Sequence, residues 1–166
     1  FEAMTHAQPT FLTELRISNC SSAVSFPGDS LPPSLQQLWI EDCKNLEFPR
    51  QRQQHRCLEL LHIANSCDSV TSFKFSAFLN LRFLTLICCK NLTSLEVSQS
   101  QSLQVLSIVG CSELETIRVP ASLSELRINE CQLLAEPILR MDPDIWLYIS
   151  SIPHLEVDGE RVFRGY

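Results

Sequence analysis

Apolar residues recur in a fixed pattern along most of the chain. The pattern reads Leu-x-x-Leu-x-Ile-x-x-Cys-x-x-Leu, and the third copy departs from it, with Ser66 in the cysteine position and Cys67 one residue later. Copies that keep the same order of residues indicate a repeat architecture in which each copy is one structural unit. Within Leu-x-Ile the apolar positions alternate, which predicts a short strand with one buried face. The first leucines of the six copies lie 20 to 23 residues apart, at Leu12, Leu35, Leu58, Leu81, Leu103 and Leu123.

One strand of this kind cannot bury its leucines alone, so neighbouring repeats must stack and share a core. All the strands enter in the same sense, which predicts a parallel sheet. The return segments are rich in proline and lack helical periodicity, so we expect extended chain and turns there, with single helical turns at most. Because the strands are closely spaced and the return segments need more room, we expect the sheet on the concave side of a curved stack. The sequence thus predicts a leucine-rich-repeat solenoid (α/β class, mostly β) with about six parallel strands, an irregular convex side and a C-terminal cap.

The repeat pattern divides the chain into three parts. Residues 1–10 carry no repeat and are interpreted as the remnant of a preceding repeat or cap. Residues 11–134 hold the leucine-rich repeats, and residues 135–166 are predicted to form the C-terminal cap. Because the chain starts at Phe1 without an initiator methionine, we also expect it to be a piece of a longer protein.

The predicted cap carries its own local signals. Asp142-Pro143 predicts the start of a helix with Trp146 and Ile149 on one face. The alternation at Leu155-x-Val157, followed by Asp158-Gly159 and Val162-Phe163, predicts a hairpin. The aromatic residues of this segment are expected to cover the core of the last repeat.

The eight cysteines follow the repeat more closely than they follow a disulfide pattern. Six of them recur once per repeat, and Cys88 and Cys89 are adjacent in sequence. A small reduced thiol that packs as an apolar side chain explains this spacing, because free cysteine is among the most buried residue types. The cysteines therefore predict a reducing compartment, the cytosol or the nucleus.

Composition and charge exclude several classes of function. With 166 residues and 45% hydrophobic content, the chain is long enough for one domain with a continuous core. A formal net charge of −6 argues against nucleic acid as a partner, because phosphate binding needs a cationic face. The basic cluster Arg50–Arg56 is expected on a convex loop, where a solvated loop is favoured over a phosphate contact. No apolar run reaches the roughly 18 residues that predict a membrane span.

Residues suited to catalysis or metal binding do not gather in sequence. The four histidines, His6, His55, His62 and His154, share no repeat position. A Cys-His nucleophile pair near His62 is conceivable, but a solvent-facing strand histidine is the favoured interpretation. No Cys-x-x-Cys or His-Glu-x-x-His motif indicates zinc, and the four scattered glycines form no phosphate-binding loop. We therefore expect no catalytic residue, cofactor or metal, and no enzyme activity.

Side chains that flank the second leucine and the isoleucine of each repeat should point away from the core. In the middle repeats they form an apolar patch with charged ends, which is typical of a protein contact. Trp39 and Phe83 are the predicted anchors. The alternative interpretation is that another part of the longer protein covers this face, or that the apolar residues only raise strand propensity. The predicted protein-binding residues are Trp39, Leu60, His62, Phe83, Ile87, Val105, Val109, Arg16, Glu125 and Arg127.

The repeats and the tail together resemble a family of plant proteins. The strand signature Leu-x-x-Leu-x-Ile-x-x-Cys, the segments Cys20-Ser-Ser-Ala-Val-Ser-Phe-Pro-Gly28 and Lys44-Asn-Leu-Glu-Phe-Pro49, and the tail from Cys131-Gln-Leu-Leu through Asp144-Ile-Trp146 to Gly159 carry the resemblance. They are similar to the C-terminal repeats of intracellular coiled-coil nucleotide-binding leucine-rich-repeat (NB-LRR) disease-resistance receptors, particularly those of legumes. The resemblance covers nearly the whole chain, and the tail is its more specific part.

The resemblance implies a role in plant defense and innate immunity. It implies that the repeats bind a pathogen effector or a guarded host protein, and also the nucleotide-binding domain of the receptor, which they help to hold inactive. It implies a cytoplasmic location, extending to the nucleus. The alternative function is a substrate adaptor of a ubiquitin ligase or another generic interaction scaffold, which would use the same surface. A phosphate-binding loop upstream would favour the receptor, and an F-box would favour the adaptor.

Overall fold

The computed structural model describes residues 11–163, in which the repeat strands form one continuous sheet, here called the ladder sheet. Its strands follow one another in chain order, and all neighbours are parallel except the last pair, which forms a hairpin through Asp158-Gly159. This arrangement confirms the predicted leucine-rich-repeat solenoid. The strands are β1 (Glu14–Ser18), β3 (Gln37–Glu41), β5 (Leu60–Ala64), β7 (Phe83–Ile87), β9 (Val105–Val109), β11 (Glu125–Asn129), β12 (His154–Val157) and β13 (Glu160–Arg161).

The second leucines of the repeats line up across this sheet. Leu38 pairs with Leu15 on one side and with Leu61 on the other, and the same register continues along the ladder. All members of the row are buried except Leu15, which is half-buried because β1 has one strand neighbour in the described residues. Leu155 of β12 continues the row, so the described ladder has seven parallel strands where the pattern predicted about six. The complete row is Leu15, Leu38, Leu61, Leu84, Leu106, Leu126 and Leu155.

The residue that follows each of the seven parallel strands has a left-handed backbone. This conformation turns the chain towards the core. In the first repeats the N–H of this left-handed residue donates to the carbonyl of the last residue in the neighbouring strand, as the Asn65 N–H does to the Ile87 carbonyl at 2.8 Å. Asparagine, aspartate and glycine adopt positive φ most readily. Gly110, with φ 65°, also lies where a Cβ would be 2.9 Å from the Cys88 Sγ. The left-handed residues are Asn19, Asp42, Asn65, Cys88, Gly110, Glu130 and Asp158.

The cysteine position packs into the core directly after these turns. Cys43, Cys89, Cys111 and Cys131 are buried, Cys20 at the first repeat is half-buried, and all eight cysteines are free. In the third repeat the buried Ser66 takes this position. Its hydroxyl donates to the Ala64 carbonyl at 2.8 Å and accepts from the Cys43 N–H at 2.9 Å. The serine therefore has hydrogen-bond partners in a position where the other repeats place a thiol.

The side opposite the ladder sheet is extended chain, as predicted, but it contains more regular secondary structure than the sequence indicated. Within residues 11–163 it contains two short parallel sheets and a 3-10 turn at Pro27–Asp29. Under these sheets Phe48, Phe73, Phe75 and Phe78 pack together, with ring centroids 5.1 to 6.4 Å apart. One sheet pairs β2 (Val24–Ser25) with β4 (Leu46–Glu47), and the other has the order β10 (Thr116–Arg118), β8 (Ser94–Glu96), β6 (Ser72–Lys74).

Two helices, α1 (Gln132–Leu139) and α2 (Pro143–Ile149), follow the last full repeat. Sequence reasoning missed α1, because it is short and contains Pro137, a residue that disfavours helix interiors. The helix lies across the predicted division between residues 134 and 135, so that division stays a prediction.

Helix α2 begins where the sequence predicted. The Asp142 side chain accepts the Asp144 N–H at 3.0 Å, and Pro143 occupies the first turn. Trp146 and Ile149 are both buried, and the Trp146 Nε1 donates to the Ile138 carbonyl at 2.8 Å. That bond attaches α2 to α1. The predicted remnant at residues 1–10 lies outside the described residues.

Candidate protein-binding face

The first, third and fifth residues of β1, β3, β5, β7, β9 and β11 form three rows on the outer side of the ladder sheet, here called the ladder face. The strand register brings the predicted binding residues together on this one face. In strand order, row one is Glu14, Gln37, Leu60, Phe83, Val105 and Glu125; row two is Arg16, Trp39, His62, Thr85, Ser107 and Arg127; row three is Ser18, Glu41, Ala64, Ile87, Val109 and Asn129.

The centre of the ladder face has two apolar rows with a polar row between them. Phe83 in row one and Ile87 in row three stand on either side of Thr85, with Val105, Ser107 and Val109 repeating the arrangement on β9. Residues two apart on a strand are separated by roughly 6.6 Å, so each apolar row is a separate contact surface. Most of these side chains are half-buried by their row neighbours, whereas Phe83 is 39% exposed. Phe83 is therefore the most accessible of the central apolar side chains.

The second predicted anchor, Trp39, is enclosed by its neighbours in row two. The Arg16 guanidinium carbon lies 4.6 Å from the Trp39 ring centroid, and the His62 ring centroid lies 4.7 Å away on the other neighbouring strand. The Trp39 Nε1 is buried and has no hydrogen-bond partner among residues 11–163. The indole thus offers a partner less open surface than Phe83 does.

His62 has an environment that favours its neutral form. Burial lowers the pKa of His62, the nearby Glu41 carboxylate opposes this by raising it, and the Arg16 charge lowers it further. The Nε2 atom of His62 lies 3.4 Å from the Glu41 Oε1. At neutral pH the His62 ring therefore contacts Trp39 in its uncharged form.

Charges at the two ends of the ladder face are paired within their own strands. Arg16 Nε lies 2.6 Å from Glu14 Oε1, and Arg127 makes the equivalent contact with Glu125. Exposed pairs of this kind contribute only a little to stability. The pairing leaves the ends of the face locally near neutral, so they carry less free charge than the sequence pattern indicated.

Arg82 is a residue of this site that sequence reasoning missed. Its guanidinium carbon lies 5.6 Å from the Phe83 ring centroid, and its Nη2 donates to the Gln104 Oε1 at 3.4 Å. Arg82 precedes β7, so the alternation rule did not place it on the ladder face. Its position immediately before Phe83, a predicted anchor, was the signal that could have identified it.

The basic loop Arg50–Arg56 is anchored by two buried polar side chains. The Gln51 Oε1 accepts the Leu31 N–H at 2.9 Å. The His55 Nε2 lies 2.8 Å from the Pro32 carbonyl oxygen, and its Nδ1 accepts the Leu58 N–H. These bonds make His55 a structural residue, while the loop arginines are exposed.

Residues 11–163 contain neither a metal-site cluster nor a membrane-spanning helix. Within that range no three histidine, cysteine, aspartate or glutamate side chains come together as a metal site would require. Neither cap helix, nor any other helix in the described part, has the length and apolar character needed to cross a bilayer.

Part of the chain is similar to a plant protein. Over 91 residues, 53% of this chain, it is 41% identical to the Arabidopsis thaliana protein named "Putative disease resistance protein At3g14460". The chain spans only 6% of the length of that relative. No family model and no solved structure matches the chain. The chain is thus similar to a small part of a resistance-like protein, and its own fold is a leucine-rich-repeat solenoid.

Proposed function

We propose that this chain is the protein-recognition module of a plant immune receptor of the coiled-coil NB-LRR type. Its ladder face binds a pathogen effector or a guarded host protein, and also binds the receptor's own nucleotide-binding domain in the inactive state. The similarity to a disease-resistance protein and the solenoid fold support this proposal. The observation that carries it is the pair of apolar rows around Phe83, open on the face that the repeat pattern predicts to be concave.

Contact energy on this face comes mainly from apolar burial. Burying the two rows under a partner contributes a binding free energy of roughly 25 cal/mol per Å² of apolar surface. Phe83, with Arg82 beside it, has the character of a binding hot spot. Because the end charges are already paired, the affinity is expected to depend weakly on salt. No catalytic step is proposed, and the free thiols suit the reducing cytosol and nucleus.

Proximity labelling with the full-length receptor in infected tissue tests the proposal. Trp39→Ala combined with Phe83→Ala should remove the labelled partners while circular dichroism and the melting temperature show an intact solenoid. Leu133→Ala with Leu139→Ala is the matched control, since both side chains are exposed on α1, away from the ladder face. Identical partner sets for the two double variants, with both folded, would contradict the proposal. Ubiquitin-ligase subunits among the lost partners would instead favour the adaptor function.

A further inference from the structure

A cavity of about 610 Å³ lies between two successive return segments and is lined by most of the basic loop, residues 50–56. This volume is in the range of cavities that hold ligands in other proteins, roughly 300 to 1,000 Å³. One wall is formed by residues 28–31 with Pro33, and the other by residues 51–57. Among residues 11–163 its lining includes no residue of the ladder face, so the cavity is a second, separate concave surface.

The wall at residues 51–57 is held in place by two buried polar side chains. Gln51 and His55 are both more than nine-tenths buried. The Gln51 Oε1 accepts the Leu31 N–H of the opposite wall at 2.9 Å, and the His55 Nε2 lies 2.8 Å from the Pro32 carbonyl oxygen. These hydrogen bonds fix the two walls relative to each other. The cavity is therefore formed before a ligand enters it, which lowers the entropic cost of binding.

The charged side chains around the cavity favour an anion. Arg52 and Arg56 line it and are exposed, and neither takes part in an ion pair among residues 11–163. Within those residues Asp29 is the one acidic residue of the lining, and its Oδ1 already accepts the Arg50 N–H at 3.1 Å. Two guanidinium groups, each with several N–H donors, are thus available to one ligand.

A phosphate group matches these two arginines better than a carboxylate does. Guanidinium groups bind phosphate oxygens through two parallel hydrogen bonds. A phosphorylated side chain carries about −1.5 to −2 charges at neutral pH, whereas a carboxylate carries one. Because Arg52 and Arg56 line the same cavity, one phosphate group can contact both of them.

The rest of the lining suits a peptide more than a nucleotide. The Gln53 and Gln54 side chains line the cavity and are exposed, and their amides can donate to and accept from a peptide backbone. Among residues 11–163 no tryptophan, tyrosine or phenylalanine lines it, so nucleotide bases have no aromatic platform for stacking. The net charge of −6 also disfavours a long polyanion such as RNA.

We propose that this cavity binds a phosphorylated serine or threonine on an extended segment of a partner protein. Arg52 and Arg56 bind the phosphate, and the Gln53 and Gln54 amides contact the neighbouring peptide backbone. Arginine clusters recognise phosphorylated motifs in the same way in other protein modules. The site is separate from the ladder face, so it adds a contact that depends on phosphorylation of the partner.

A library of peptides with a central phosphoserine or phosphothreonine and randomised flanking residues tests the proposal, with the unphosphorylated library beside it. The whole 166-residue chain should enrich the phosphorylated members. Arg52→Gln with Arg56→Gln should weaken binding of the best phosphopeptide at least tenfold, with an unchanged circular dichroism spectrum. Arg118→Gln with Arg161→Gln changes the net charge equally at exposed positions outside the cavity, and it should leave binding unchanged.

Two exposed free thiols report where the peptide binds. Cys57 lines the cavity, whereas Cys88 follows β7 and is not part of the lining. The best phosphopeptide at saturation should slow alkylation of Cys57 by iodoacetamide several-fold, measured by mass spectrometry, and leave the rate at Cys88 unchanged. Trp39→Ala with Phe83→Ala should keep phosphopeptide binding, so failure of this site and failure of the ladder face are recognised separately.

Several outcomes would overturn the proposal. Phosphorylated peptides would not be enriched over unphosphorylated ones, or Arg52→Gln with Arg56→Gln would bind the best phosphopeptide as tightly as the native chain does. Protection of both thiols, or of neither, would place the peptide elsewhere. Inorganic phosphate that binds as tightly as the phosphopeptide would show an anion site without peptide recognition. Single-stranded RNA that binds more tightly than the phosphopeptide would assign the cavity to nucleic acid.

Discussion

The guanidinium carbon of Arg16 lies 4.6 Å from the centroid of the Trp39 indole, on the neighbouring strand of the ladder sheet. The two residues belong to adjacent repeats, separated by 23 positions in sequence, and the parallel register places them side by side. A cation held over an aromatic face contributes about 0.5 to 1 kcal/mol at an exposed site. The arginine therefore covers one of the two predicted anchors while it is paired with Glu14.

Replacing Arg16 by alanine should uncover Trp39. We expect stronger acrylamide quenching of tryptophan fluorescence and a loss of stability of about 0.5 to 1 kcal/mol. Trp146 is buried and should add a constant, weakly quenched background. Arg127→Ala is the control, since it removes a similar Arg–Glu pair at the other end of the face. Equal quenching in the two variants would show that Arg16 does not shield the indole.

Gly110→Ala should destabilise the solenoid by about 1 to 2 kcal/mol, measured by urea denaturation. Two effects add here, the positive φ of 65° and the 2.9 Å approach of the new Cβ to the Cys88 Sγ. Adding Cys88→Ala removes the sulfur and should restore the steric part, leaving the backbone strain. Cys88→Ala alone should be nearly neutral because the residue is exposed. If the single and double variants are equally unstable, the close approach makes no contribution.

His55→Ala should lower the free energy of unfolding by about 2 to 4 kcal/mol. The substitution leaves the Leu58 N–H and the Pro32 carbonyl without the partner that the buried His55 ring provides, and each unsatisfied buried group costs about 1 to 3 kcal/mol. His154→Ala, at a less buried histidine, should change stability by less than about 0.5 kcal/mol. Similar denaturation midpoints for both variants would show that the His55 hydrogen bonds do not stabilise the protein.

The buried thiols predict a loss of stability in alkaline solution. Burial, with smaller contributions from Cys43 and Asp68, raises the pKa of Cys67 from its ordinary 9.0 to about 12. For Cys111, the contact with Cys131 lowers the pKa, but the contact with Cys89 and burial outweigh it and raise the pKa to about 12. Since the fold favours the protonated thiol, its contribution is complete below pH about 9 and is lost as the pH rises towards about 12.

Denaturation of the native chain and of Cys67→Ala at about pH 8 and about pH 10.5 measures this effect. The stability advantage of the native chain should shrink by about 1.4 kcal/mol per pH unit above 9. Cys57→Ala removes an exposed thiol, so its free energy of unfolding should change between the two pH values by the same amount as that of the native chain. A constant difference between the native chain and Cys67→Ala would contradict the assigned cause.

Much of the fold was predictable because its signals are local. Alternation within Leu-x-Ile sets which side chains are buried in each strand, and Asp142-Pro143 sets where α2 begins. Helix α1 was not predicted, because its three buried residues, Leu134, Ala135 and Ile138, are too few to reveal helical periodicity in a segment that contains Pro137. Strand β12 was predicted as part of a hairpin, but its pairing with β11 was not, because Leu155 and Val157 continue the ladder outside the repeat spacing.

The repeat spacing alone dictated a stack of parallel strands and a row of residues facing outward, since a chain with that period has no other way to bury its leucines. Contacts between repeats were decided by the folded stack. Whether Arg16 covers Trp39, whether Arg82 reaches Gln104, and whether β10 gains a strand neighbour all depend on how one turn packs on the next. Those distances join residues far apart in sequence, and the local preferences of either residue do not contain them.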